Sequence, residues 1–128
     1  MASSPAFAAT PRVVGGTIST ANTNRDGTGT IGDIFQGGTN GSEVKRLTIQ
    51  ATGTTTAGMI RLYVKIASSY FLIKEVPVDA ITAAATTEVF RAQVSFDPSF
   101  VLQGSTYYIS ASTNNAETFK LTIEGYDY

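Results

Sequence analysis

The sequence contains no cysteine and no histidine. Without cysteine there is no disulfide framework, no thiolate metal site and no thiol nucleophile. Without histidine the usual general base, the commonest metal ligand and any Ser-His-Asp triad are missing. Charge is scarce as well. Charged residues make up 15% of the 128 residues, against the ~25% usual for a soluble domain. Nine basic residues face ten acidic ones, for a net charge of −1, so there is no basic excess to draw the chain to nucleic acid. No apolar run approaches the ~20 residues of a membrane-spanning helix, and no membrane partner is expected. The segment Met1–Thr10 lacks the positive start and the continuous apolar stretch of about 7–15 residues that mark a signal peptide. These absences argue against an enzyme, and the expectation is no catalytic residue, no metal and no cofactor.

What is present points to β structure. Threonine occurs 19 times and glycine 12 times; the first suits strands and the second turns. Strand-like runs alternate with turn clusters at short intervals, the signature of an all-β sandwich or barrel. The pattern predicts eight strands, over Arg12–Thr20, Thr30–Gln36, Ser42–Thr52, Met59–Ala67, Tyr70–Asp79, Thr87–Phe96, Ser105–Ser112 and Thr118–Tyr126. Eight strands in two antiparallel sheets is the count of a jelly-roll-like sandwich, with fibronectin-like or other Greek-key sandwiches as alternatives because the pattern does not give strand order. The chain length fits one domain, residues 13–128, preceded by an extended N-terminal arm, residues 1–12. Ser68-Ser69 reads as a two-residue hairpin link. Asp97-Pro98 reads as the start of a turn, and the alanine-rich Asp79–Ala85 is too short for an independent helix.

Two details of register follow from parity. In the fourth run Ile60, Leu62, Val64 and Ile66 share one face, expected to be dry. Met59, Arg61, Tyr63 and Lys65 share the other, expected to be wet. In the third run Val44 is even while Leu47, Ile49 and Ala51 are odd, so either one extra residue near Lys45-Arg46 forms a β-bulge or Val44 lies exposed on the surface.

Motifs with chemical potential are few. Asn22-Thr-Asn-Arg-Asp-Gly27 resembles an oxygen-ligand calcium loop, with Asp33 at the twelfth position. Its first and last ligands depart from that pattern and its flanks read as strands, so a polar loop closed by an Asp-Gly turn is the expectation. The acidic residues are scattered, with no pair placed across a cleft as glycoside hydrolysis needs. Gly27-Thr-Gly29 lies in no phosphate-binding motif. Tyr63 and Tyr108 are expected on outer strand faces, where a rigid ring with a hydroxyl suits a subunit interface. Few charges and many small β-formers point to a surface that meets other protein and to association with copies of itself.

The phrases Ala21–Ile31, Val44–Tyr63, Leu72–Val78 and Tyr108–Phe119 together resemble the small virion structural proteins of tailed bacteriophages that decorate or cement the capsid. The resemblance spans roughly residues 21–128 and carries no residue-level motif. It implies a β-sandwich sitting as a trimer, or sometimes a dimer, on the outer surface of the head, with the major capsid protein as partner. The expected docking residues are those of the arm, Pro5, Phe7, Pro11 and Arg12, since an extended segment adds readily to an exposed sheet. Deleting residues 1–12 is then expected to spare the fold and abolish docking. A different reading is a carbohydrate- or receptor-binding module of a phage tail or fibre, using Asn24, Asp26, Asn114 and Asn115.

Overall fold

The computed structural model describes residues 10–128. Pro5 and Phe7 lie outside the described residues. Eight strands follow in order: β1 (Thr10–Ile18), β2 (Gly32–Gln36), β3 (Ser42–Ala51), β4 (Gly58–Ile66), β5 (Ser69–Val78), β6 (Arg91–Leu102), β7 (Tyr107–Thr113) and β8 (Phe119–Asp127). They form two four-stranded sheets, β1-β8-β3-β6 and β2-β7-β4-β5. All the pairings are antiparallel: β1 with β8, β2 with β7, β3 with β6 and with β8, β4 with β5 and with β7. Pairing first with last and proceeding inward is the topology of one long hairpin rolled over on itself, which is a jelly roll.

Alternation places the core. Leu47, Ile49 and Ala51 of β3, Ile60, Leu62 and Val64 of β4, Ile109 and Ala111 of β7 and Phe119, Leu121 and Ile123 of β8 meet between the sheets. Phe90 and Phe119 pack edge to face, with ring centroids 6.1 Å apart. Each buried side chain of this size contributes roughly 1.5–3 kcal/mol. The bulge read from parity is present. Val44 pairs with Gly125 and Arg46 with Glu124, leaving Lys45 as the extra residue. Both Val44 and Leu47 are thereby fully buried despite their opposite parity. Gly125 allows the close approach this requires, since a Cβ there would sit 2.2 Å from the Glu43 carbonyl oxygen.

Several boundaries differ from the sequence pattern. β6 does not stop at Phe96: after Arg46 pairs with Ser95, the ladder resumes with Val44 opposite Phe100. The expected Asp97-Pro98 turn is therefore an excursion inside one strand, where Pro98 has no N–H to give to a ladder. The hairpin link is Ala67-Ser68, one residue earlier than expected, with Ala67 in the left-handed region at φ 56°. Asp79–Ala85 forms no helix; Thr55 bridges Ile81 and Ala84 bridges Thr87.

The edge formed by β1 and β2 is clamped. Arg12 lies within β1, opposite Gly125, rather than in a free arm. Its guanidinium stands 4.2 Å from the centre of the Phe35 ring and donates to the Gln36 carbonyl (2.7 Å) and to Asp127 (3.0 Å). Pro11 is also in β1, opposite Tyr126. A truncation at residue 12 removes this clamp along with the arm, so one that tests the arm alone stops at Ala9.

Candidate functional site

The outer face of β2-β7-β4-β5 departs most from the sequence reading. Arg61 and Tyr63 were expected on a wet face, yet Arg61 is 4% exposed and Tyr63 0%. Tyr63 is thus corrected from a candidate subunit contact to a buried side chain. The segment 19–31 causes this by crossing the face as a strap. It is joined to the end of β7 where Asn22 N–H donates to the Thr113 carbonyl (2.8 Å). Over β4, the Tyr63 hydroxyl donates to the Asn24 carbonyl (3.2 Å), and Arg61 donates to the Asn22 carbonyl (3.2 Å). At β5, Arg25 pairs with Glu75 (3.0 Å). There Gly27, at φ 87°, passes so close to Tyr70 that a Cβ would sit 2.7 Å from its carbonyl oxygen. Only glycine fits such a backbone and such an approach.

The strap holds its own shape through the residues that resembled a calcium loop. The Asn22 amide donates to the carbonyls of Thr28 (2.9 Å) and Thr30 (3.0 Å), and its oxygen accepts from Asn24 N–H (3.0 Å). Asp26 accepts from the backbone and the hydroxyl of Thr28. These bonds hold the Asp26 carboxyl below the usual carboxylate range, the Thr28 hydroxyl being the main cause. Two of the three loop oxygens that would ligate a cation, those of Asn22 and Asp26, thus accept protein hydrogen bonds, the Asn24 amide donates to the Thr28 hydroxyl, and Asp33 points to other partners. Among the described residues no three acidic side chains gather closely enough to hold a metal.

Beneath the strap, Arg61 reaches Glu75 (3.1 Å) and the Asn114 side chain (3.3 Å). A bulge makes this possible. Near the turn the hairpin pairs Tyr63 with Leu72, but past Ile73 it pairs Leu62 with Lys74 and Arg61 with Glu75. Were the register near the turn continued with Ile73 paired in the ladder, Arg61 would face Lys74, a like charge across it.

A second cluster draws on every strand of this sheet. Asp33 of β2 accepts from Lys65 of β4 (3.0 Å), Tyr70 of β5 (2.9 Å) and Ser110 of β7 (2.8 Å). The Lys65 ammonium also lies 5.4 Å from the Tyr70 ring centre and 5.1 Å from that of Tyr108. Tyr108 is half-buried. Burial works to raise the Asp33 carboxyl. The hydrogen bonds from Lys65, Ser110 and Tyr70, with the Lys65 charge, outweigh it and hold the group below its ordinary 3.8. The bond to Asp33 raises Lys65. Burial, followed by the bond to Asp33, raises Tyr70.

These directions fix a pH dependence. A carboxyl depressed on folding contributes stability that is complete above its unfolded value and is lost as pH falls through the folded one. The Asp33 contribution is therefore full above about 3.8 and fades below it. The raised Lys65 and Tyr70 contribute fully below about pH 10 and lose that contribution as pH rises further. In urea titrations the wild-type midpoint is expected to exceed that of Asp33→Asn at neutral pH and to converge on it in strong acid. A constant gap at all acid pH would contradict this.

Among the described residues the large exposed apolar side chains are Val13, Ile66, Phe71, Leu72, Val101, Tyr126 and, at the C-terminal end, Tyr128. On the outer face of β1-β8-β3-β6 are Val13, Val101 and Tyr126; around the β4–β5 hairpin are Ile66, Phe71 and Leu72. Sequence reading singled out none of the four residues Val13, Val101, Phe71 and Leu72, although parity within β1 and β6 places Val13 and Val101 outward. It also passed over Asp33 as a cluster centre, because its partners come from three other strands. No protein-family model matches the chain, and no curated protein matches it. The fold and surface define a jelly-roll module whose buried polar groups hold its strands and its strap in place.

Proposed function

We propose that this protein is a non-enzymatic virion structural component, a decoration protein on the outer surface of a phage capsid. There it associates with copies of itself and reinforces contacts between major capsid subunits. The observation that supports it most is that apolar side chains stand exposed on both sheets, Val13, Val101 and Tyr126 on one and Ile66, Phe71 and Leu72 on the other. Exposed apolar side chains on both sheets give the sandwich two faces that can meet other molecules, which suits a block wedged between neighbours. The resemblance of residues 21–128 to capsid-decorating proteins agrees with this use. Jelly rolls serve capsids and lectins alike, so the fold alone does not decide.

The carbohydrate-binding alternative has its loop residues engaged elsewhere. Asn24 bonds to the Thr28 hydroxyl, Asp26 to Thr28, Asn114 to Arg61, and Asn115 to Thr56 and Ala57. A test compares particles with and without the chain under heat and osmotic shock. Particles lacking it are expected to rupture sooner, and adding the purified full chain is expected to restore them. Equal tolerance with and without the chain would overturn the proposal.

A further inference from the structure

The outer face of β1-β8-β3-β6 has a charge layout that matches itself. The ladder registers place Val13, Glu124, Arg46 and Ser95 in one row across the four strands, with Pro11, Tyr126, Glu43 and Val101 in the next. Glu124 and Arg46 stand on the two central strands, joined by a 2.6 Å bond from the Arg46 Nε. Both remain accessible, with side chains 38% and 49% exposed. Val13 is 68% exposed and Val101 59%.

Consider a second copy turned by a half rotation about a line between β8 and β3, parallel to the strands. Its β3 then lies over β8 of the first copy, and its β6 over β1. Glu124 of each copy falls over Arg46 of the other, so the ion pair within each chain becomes a four-charge cluster of alternating sign. Pro11 falls over Val101, and Val13 over Ser95. No glutamate of these rows meets another glutamate. An interface of this kind uses the same patch on both partners.

We infer that this face is a two-fold interface between copies of this chain, with Arg46 and Glu124 exchanged across it. The inference deepens the assembly reading by naming one partner and the face that takes it. Four strands at ~4.8 Å and nine residues at ~3.3 Å make a face of about 19 by 30 Å, or ~570 Å². That is less than the ~800 Å² per partner of a standard stable complex. The pair is therefore weak in solution, with a dissociation constant on the order of micromolar, and gains on a shell through many simultaneous contacts.

The test is sedimentation of the full chain across roughly 1–300 µM, a range chosen for a micromolar pair. Wild type is expected to dimerise. Arg46→Glu leaves two acids over two acids and Glu124→Arg leaves two bases over two bases, so each variant is expected to bind itself at least ~10-fold more weakly. An equimolar mixture of the two variants is expected to form a mixed pair, and the double variant R46E/E124R to dimerise again. Val13→Asp, which alters neither partner of the ion pair, is a second disrupting variant, and circular dichroism checks that each one folds. A wild-type monomer throughout the range would overturn the inference, even if that monomer coats capsids. So would a trimer, whose closure uses two different patches. A dimer insensitive to the charge reversals would overturn this face alone and leave self-association standing.

Discussion

Tyr63→Ala is expected to destabilise the protein by about 3–5 kcal/mol, the range for losing a large aromatic from a packed interior. Tyr63 has no exposed surface and packs edge to face against Tyr70, with ring centroids 6.1 Å apart. Its hydroxyl donates to the Asn24 carbonyl of the strap. Tyr63→Phe keeps the ring and removes that bond, and is expected to cost only about 1 kcal/mol. Urea unfolding of the two variants checks both values. A Tyr63→Ala cost below about 1 kcal/mol, the level of ordinary surface changes, would mean that the ring stands in solvent and that the strap does not lie over β4.

Arg61→Ala is expected to cost about 3 kcal/mol, the lower end for removing one partner of a buried ion pair. Glu75 keeps Arg25 and part of its solvation, which moderates the loss. The strap also loses the anchor at the Asn22 carbonyl, and Asn114 loses its donor. The damage is therefore expected to be local as well as global. Amide exchange over Asn22–Thr30 should accelerate at denaturant concentrations where the core strands stay protected. Arg61→Lys keeps the charge but lacks the planar fork that reaches several acceptors together, and is expected to restore only part of the protection. Unchanged exchange in the strap of Arg61→Ala would contradict its anchoring role.

These two residues also show where the sequence pattern stops being readable. Period-two alternation in β4 correctly separates Ile60, Leu62 and Val64 from Arg61, Tyr63 and Lys65. It cannot tell that a loop 30 or more positions earlier folds back over the second set. The strap is polar, so it carries no hydrophobic signal; apart from the Arg25–Glu75 pair it attaches by backbone groups, which every residue possesses. The opposite case is β3, where parity pointed to an extra residue near Lys45-Arg46 or else to an exposed Val44, and the burial of both Val44 and Leu47 goes with the bulge at Lys45. β6 lies between these cases. Asp97-Pro98 does interrupt its ladder, but Phe100 and Leu102 return to β3 opposite Val44 and Ser42 and extend the strand.

The candidate surfaces were legible in the same uneven way. Scarcity of charge pointed to contact with other protein. The particular residues depend on strand order, because only when β1, β8, β3 and β6 lie side by side do Val13, Glu124, Arg46 and Ser95 form one row. Tyr108 keeps a partly open ring, but beside the Lys65 ammonium rather than on a free strand face.

An electron-microscopy map of virus particles containing this chain bears most directly on its role. Density for an eight-stranded sandwich on the outer shell, repeated at equivalent sites and touching more than one major capsid subunit, is the expected result. Particles whose outer surface carries no such density, although the chain is made during infection, would contradict it.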